Sequence, residues 1–230
     1  VVPIDSAGKP APDARVVDAL AADDSSKRLH AALAVGTHPD PALVDVLVAR
    51  CGVEPDFFVR DMLTWALTRL PPETTVPRLL VELDSTHAQA RSQALHTLSK
   101  IGDRSAWPAI TRALLRDADD TVARTAWRAA VVLVPDAERS ALATELASQF
   151  GRGDREVQLS LSQALVSLAD VVEPVLEVAV THRDPAVRAH ARATERLLSD
   201  PDAGFGLAVD EAKRVVALGP DREGTPGADR

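Results

Sequence analysis

The residues able to do chemistry in this chain are few and poorly grouped. Six histidines stand at positions 30, 38, 87, 96, 182 and 190. His182 and His190 are eight residues apart across a break, not at the i, i+4 spacing that sets two imidazoles on one helical face. Both read as surface histidines. A single Cys51 excludes an intrachain disulfide and a cysteine-based zinc cluster, and reads as a small buried side chain. Gly151-Arg152-Gly153 is no phosphate loop; it reads as a connection between helices, with Asp154 capping the second of them. Glu138, Glu145, Glu156, Glu173 and Glu177 are scattered on outward faces, where solvation is their ordinary role. No spacing assembles a Ser–His–Asp set. The chain is therefore expected to be non-enzymatic, with no catalytic residue, no cofactor and no metal.

The spacing does show a repeat. Arg28, Arg60, Arg91, Arg124, Gln158 and Arg188 succeed one another at intervals of 32, 31, 33, 34 and 30 residues. Four residues before each stands Asp24, Asp56, His87, Asp120, Asp154 or Asp184. Six residues after each the side chain is small: Ala34, Ala66, Thr97, Ala130, Ala164 and Thr194. A period of this size marks a solenoid, whose units bury their apolar faces against one another. Helix pairs are predicted over 13–22 with 25–37, 41–51 with 56–70, and 74–83 with 87–101. They continue as 105–116 with 120–134, 137–149 with 154–169, and 172–181 with 185–199, closed by a terminal helix at 207–218. First helices should carry Pro41, Pro77, Pro108 and Pro174 near their first turn, where a missing N–H costs nothing. Second helices should be capped by the repeat Asp, with the cap shifted back to Thr86 beside His87.

At 100° per residue, positions −1, +3, +6, +7 and +10 from the repeat Arg form the apolar face of each second helix. Ala130 falls on that packing face and Ala129 towards the opposite one. The repeat Arg sits at the border, its stem buried and its head paired with an Asp of a neighbouring turn. Positions +1, +4, +5 and +8 make the open face, which includes Thr64, Ser92, Thr125 and Ser162. The candidate binding residues on it are Asp61, Trp65, Leu95, His96, Arg128 and Gln163. A Trp beside Leu, His and Arg on a face turned to water is a typical interface anchor, worth about 2–3 kcal/mol when covered. The rival reading folds Trp65 back over its own repeat junction. Trp107 and Trp127 fall on packing faces and read as core.

Composition narrows the partners. A formal charge of −8 argues against a nucleic-acid binder that lives on phosphate contacts. Aromatics are only 3%, so the core must be Ala, Val and Leu. No run approaches the roughly 18 apolar residues of a membrane span. No export signal opens the chain, and with one cysteine the reducing cytoplasm is the expected compartment. Residues 1–12 read as a flexible lead-in, 13–218 as the repeat array, and 219–230 as a disordered tail. Arg outnumbers Lys 22 to 4, a bias associated with GC-rich bacterial genomes.

Residues 106–133 and 171–198 resemble HEAT repeats, in particular the short bacterial HEAT-like repeats first grouped with phycobilin lyases. The resemblance rests on a Pro-containing first helix and a second helix opening D-x-x-V-R or D-x-x-A-R. His87 and Gln158 depart from that pattern. It implies an all-α, right-handed α-solenoid (an α-α superhelix) of about five to six HEAT-like hairpins, with second helices lining a concave face. Enzymes of this architecture have requirements that the chain meets poorly. The di-iron hydroxylase needs repeated His–Glu dipeptides, and none of the six histidines precedes a Glu. DNA glycosylases of the fold need a basic, aromatic-lined concavity around an Asp, of which Asp61 beside Trp65 is a faint echo. Nothing specific to a bilin lyase stands out. The resemblance therefore implies a scaffold binding a protein partner through its concave face. The alternative is a small-molecule-sensing effector module of a transcriptional regulator, and a glycosylase-like or bilin lyase-like enzyme is a minor third.

Overall fold

Asp side chains start most of the helices. Those of Asp13, Asp24, Asp56, Asp119, Asp154 and Asp184 each accept a backbone N–H from the first turn they precede, supplying an acceptor that the open end of a helix lacks. The structure is a computed structural model and describes residues 12–200 together with Val209 and Lys213. The elements are α1 (Ala14–Leu20), α2 (Ser25–Thr37), α3 (Val44–Val53), α4 (Phe57–Thr68), α5 (Pro72–Glu82) and α6 (Ala88–Ile101). After them come α7 (Arg112–Leu115), α8 (Asp120–Leu133), α9 (Arg139–Ala147), α10 (Arg155–Val166), α11 (Ala169–Ala179) and α12 (Pro185–Ser199). Short 3₁₀ segments precede α3, α7 and α9, and no strand occurs among the described residues. None of these helices is long and apolar enough to cross a membrane.

The chain divides into two compact units at Pro135 and Asp136. In the first, second helices stack in chain order, α2 on α4, α4 on α6 and α6 on α8, with α1 packed on α2, α3 on α4 and α6, and α5 on α6. In the second, α9 packs on α11 and α10 on α12. Each unit is thus an all-α solenoid segment of helical hairpins. The small residues after the repeat Arg allow the close approach: Ala66, Thr97, Ala130, Ala164 and Thr194 are buried, while Ala34 is exposed. Trp127 is fully buried and donates its indole N–H to the Leu115 carbonyl at 2.8 Å. Trp107, expected in the core, is only partly buried. Of the expected terminal helix at 207–218, only Val209 and Lys213 lie within the described residues; Val209 packs beside Ala193. The expected lead-in, Pro12 apart, and the expected tail lie outside them.

Several local expectations change. Pro77, Pro108 and Pro174 lie inside their helices rather than in the first turn, because α5 and α11 begin earlier than expected. Around Pro108, the expected helix over 105–116 breaks into a 3₁₀ segment, Arg104–Ala109, and the short α7, which Thr111 caps. His87 makes no side-chain cap; the Ser85 hydroxyl, not Thr86, accepts its N–H. Ahead of α8 the cap is Asp119, one residue before the expected Asp120. The repeat Arg has a use beyond the expected pairing with a neighbouring Asp. Its head clamps carbonyls of the loop before its own helix: Ala22 and Asp23 for Arg28, Glu54 and Pro55 for Arg60, Ser85 for Arg91, His182 and Arg183 for Arg188. Gln158 does the same at Gly153. The head of Arg28 also reaches Glu54 of the next hairpin, and that of Arg91 reaches Asp117, the expected pairing with a neighbouring Asp.

His190 is a correction. Far from being a surface residue, it is 1% exposed in the second unit, edge-on to Phe150 at 4.9 Å. Its Nδ1 accepts the Gly151 N–H at 3.1 Å, so the ring proton sits on Nε2, which faces the Gln158 carbonyl at 3.0 Å and the Ser162 hydroxyl at 3.1 Å. Burial pushes its pKa down to about 4, against the Gln158 carbonyl, which works the other way.

Glu54 is the buried acid of the first unit, with no exposure to water. Its carboxylate accepts Arg28 Nε and Nη2 at 2.8 and 2.7 Å, Arg50 Nε at 2.8 Å and the Asp56 N–H at 3.0 Å. Burial alone would raise its pKa; the Arg28 guanidinium, the Asp56 N–H and the Arg50 guanidinium outweigh it and hold the value at about 2.

These charges lead to two stability predictions. Glu54→Gln leaves Arg28 buried without its counter-charge and should destabilise the first unit by about 3–5 kcal/mol. Urea unfolding measures this, and a loss under 1 kcal/mol contradicts the network. For His190 the folded pKa lies below the unfolded value of 6.5, so its contribution is complete above that pH and fades as the pH falls towards 4. The second unit should lose roughly 3 kcal/mol across that window. His190→Gln, monitored by hydrogen exchange, should flatten the dependence.

Candidate functional site

The outward row of the first unit is set by helix starts. Counted from its first residue, each second helix from α2 to α10 places its ninth side chain outward: Leu33 on α2, Trp65 on α4, His96 on α6, Arg128 on α8 and, in the second unit, Gln163 on α10; α12 departs from the rule, with its ninth residue, Ala193, buried. The eighth side chains, Ala32, Thr64, Leu95, Trp127 and Ser162, are all buried. Leu95 is thus a core residue with no exposed surface, and its place among the binding candidates is corrected. The cause is the cap. Arg124 is the fifth residue of α8, whereas Arg60 and Arg91 are the fourth of theirs, so counting from the repeat Arg mixes the two positions. The same shift buries Ala129 as completely as Ala130.

A groove of about 330 Å³ crosses α4, α6 and α8. It brings together Asp61, His96 and Arg128 from the candidate set. Trp65 does not line it. A Cβ on Gly36 would lie 2.1 Å from the Trp65 ring, which therefore lies on the glycine's bare backbone and closes the α2–α4 junction. Gln163 stands exposed on α10 and is not among the lining residues.

The floor of the groove is hydroxylic. The buried Ser92 and Thr125 hydroxyls lie 3.1 Å apart, and Thr125 Oγ1 donates to the Thr121 carbonyl at 2.8 Å. Thr125 Oγ1 also accepts Arg128 Nη2 at 3.2 Å, which steers the guanidinium. Thr64 also lines the groove, and its buried Oγ1 has no hydrogen-bond partner. Burial lowers the pKa of His96; Lys100 and Arg128 add to the shift, and Asp61 opposes it. The ring is therefore neutral at pH 7. Burial, and after it Arg124, likewise lowers the pKa of Arg128.

The expectation from sequence left out Arg60, Lys100 and Phe57. The readable signal was Phe57-Phe58 directly after the capping Asp56, half of the chain's four phenylalanines. Both are largely exposed, at 65% and 68%, with their rings edge-to-face at 5.6 Å. Phe57 also lies under the Arg60 guanidinium, 6.0 Å from the ring centre. The groove holds no nucleophile paired with a base, and no group of three or more metal-ligating side chains occurs among the described residues. Its chemistry is recognition by charge, hydroxyl and aromatic edge. Because Trp65 packs on Gly36, Trp65→Ala should lower stability by about 1–2 kcal/mol. An unchanged melting temperature would mean that the ring stands free.

Residues 54–131 match the family model for HEAT repeats. No curated protein matches the chain. Among solved structures it is similar to an engineered protein at 21% identity, over 86% of this chain and 96% of the other, with a TM-score of 0.44. A second engineered protein is also 21% identical, over 90% of this chain and 68% of its own, with a TM-score of 0.44. A designed armadillo repeat protein is 15% identical, over 80% and 98%, with a TM-score of 0.44. The groove-lining residues, Phe57 to Arg128, all fall within the stretch that matches the HEAT-repeat model.

Proposed function

We propose that this protein is a non-enzymatic scaffold that binds a protein partner through the groove face of α4, α6 and α8. The observation that carries the reading is the exposure of Phe57, which lines the groove, and of Phe58, whose ring packs edge-on against it. Burying those two rings against a partner removes apolar surface worth a few kcal/mol in total, at about 25 cal/mol per Å². Exposed apolar surface rimmed by Arg60, Asp61 and Arg128 has the make-up of an interaction patch, with aromatic and Arg anchors inside a polar border. The repeat fold supports the same use, since stacked hairpins present one long face to a partner. A reducing compartment such as the cytoplasm suits the one cysteine, Cys51, a buried free thiol.

The test is capture. Immobilised full-length protein should retain a specific partner from a lysate of the producing organism. Phe57→Ala with Phe58→Ala should weaken that interaction by about 1–3 kcal/mol per anchor, while the melting temperature stays within a degree or so. Equal retention by the double variant would contradict the assignment of this face.

A further inference from the structure

The groove carries a charge opposite in sign to that of the chain. The whole sequence has a formal charge of −8, yet Arg60, Lys100 and Arg128 line the groove against the single carboxylate of Asp61. Charges are screened over about 8 Å at physiological salt, so a group seated there responds to these cations more than to the distant acidic surface. Asp119 adjoins the site, but its carboxylate is committed to the N–H groups of Thr121 and Val122. Arg60 has one nitrogen fixed on the Glu54 and Pro55 carbonyls, so it contributes charge more than reach. Arg128 is bonded to Thr125 alone, and among the described residues neither it nor Lys100 is paired with a carboxylate. The lowered pKa of Arg128 fits a partly desolvated cation with no counter-charge beside it.

A second, independent feature points to a ligand. Thr64 is 3% exposed, lines the same groove, and holds a hydroxyl with no partner. An unpaired buried hydroxyl costs about 1–3 kcal/mol, a cost that an acceptor entering the groove removes. The Ser92 and Thr125 hydroxyls are already engaged with each other, with Thr121 and with Arg128. Among the donors left for a guest, Lys100 and the remaining N–H groups of Arg128 carry positive charge and Thr64 is buried without a partner, beside the neutral Gln93, His96 and Thr121, a set that suits an oxyanion.

We propose that the groove seats a side-chain carboxylate of an acidic, partly apolar peptide segment of the partner, held by Arg128, Lys100 and the Thr64 hydroxyl. The exposed Phe57 and Phe58 rings favour a peptide over a free anion, since only a peptide brings apolar side chains to cover them. This inference rests on the groove being a protein-binding face.

The test uses the full chain and a short acetylated peptide alternating Glu and Leu, with a Gln-and-Leu peptide as control and inorganic phosphate as the free-anion probe. Fluorescence anisotropy gives affinity, and amide shifts in the labelled protein locate the peptide. The Glu peptide should bind at least about tenfold more tightly than the Gln peptide, shift amides of α4, α6 and α8, and weaken as salt rises. Arg128→Gln or Lys100→Gln should weaken binding by about fivefold or more, and Asp61→Asn should strengthen it. All three side chains are solvent-facing, and an unchanged melting temperature confirms that folding is spared. Equal binding of the Glu and Gln peptides overturns the carboxylate assignment, and so does no binding of either. Phosphate binding as tightly as the Glu peptide overturns the peptide assignment in favour of a free anion. If any of these occurs while partner capture still depends on Phe57 and Phe58, the scaffold reading stands and only the carboxylate falls.

Discussion

A carboxylate shut away from water, that of Glu54, holds the first unit in register. Its oxygens take guanidinium protons from Arg28 on α2 and Arg50 on α3, while its backbone carbonyl accepts Arg60 of α4 and Gln89 of α6. One residue at the end of α3 thus ties together four helices from three successive hairpins. Such a charge is tolerable only because every part of it is paired; left alone in that position it would cost several kcal/mol. The network also fixes where α4 begins. The Glu54 carboxylate accepts the Asp56 N–H, and Asp56 in turn caps Phe58 and Val59. That start sets the outward placing of Phe57, Asp61 and Trp65 and the inward placing of Thr64.

How far this could be read from the sequence depends on the reference point. The repeat Arg gave the period, the helix pairs and the small packing residues, because each obeys spacing along the chain. It did not give the phase of each helix. Asp119 and Asp120 are both competent caps, and the choice of Asp119 turns α8 by one residue, exposing Arg128 and burying Ala129. Leu95 was misplaced by applying one offset to helices that start differently. Asp61, His96 and Arg128 were nonetheless legible as neighbours, since helices stacked at a constant period bring equivalent turns together. Burial of the Trp65 ring over Gly36 depended on a contact between hairpins, and the sequence distinguished it from exposure only as one of two readings.

The same physics explains why His190 could not be found. A His at the sixth residue of a Pro-opened helix has no local mark of burial. Its partners, the Gly151 N–H and the Gln158 carbonyl, lie more than thirty residues away in sequence. Gly151 adopts a positive φ of 85° that lets its N–H reach the ring, a backbone feature that composition alone does not announce. The second unit therefore keeps a buried polar centre where the first keeps a buried ion pair. Both are satisfied networks, and both lose stability in acid, the histidine at higher pH than the glutamate.

Helix starts, fixed by caps and by Glu54, turn the ninth residue of α4, α6 and α8 outward and the eighth inward, and the groove depends on that register. Single cysteines placed at residues 64, 65, 95, 96, 127 and 128, in a Cys51→Ala background, test it through their rates of reaction with a thiol reagent under native conditions. Slow labelling, limited by opening of the fold, is predicted at the eighth positions, 64, 95 and 127. At the ninth, labelling should be fast at 128 and intermediate at 65 and 96. Comparable rates at 95 and 96, or faster labelling at 127 than at 128, would contradict that register and with it the groove.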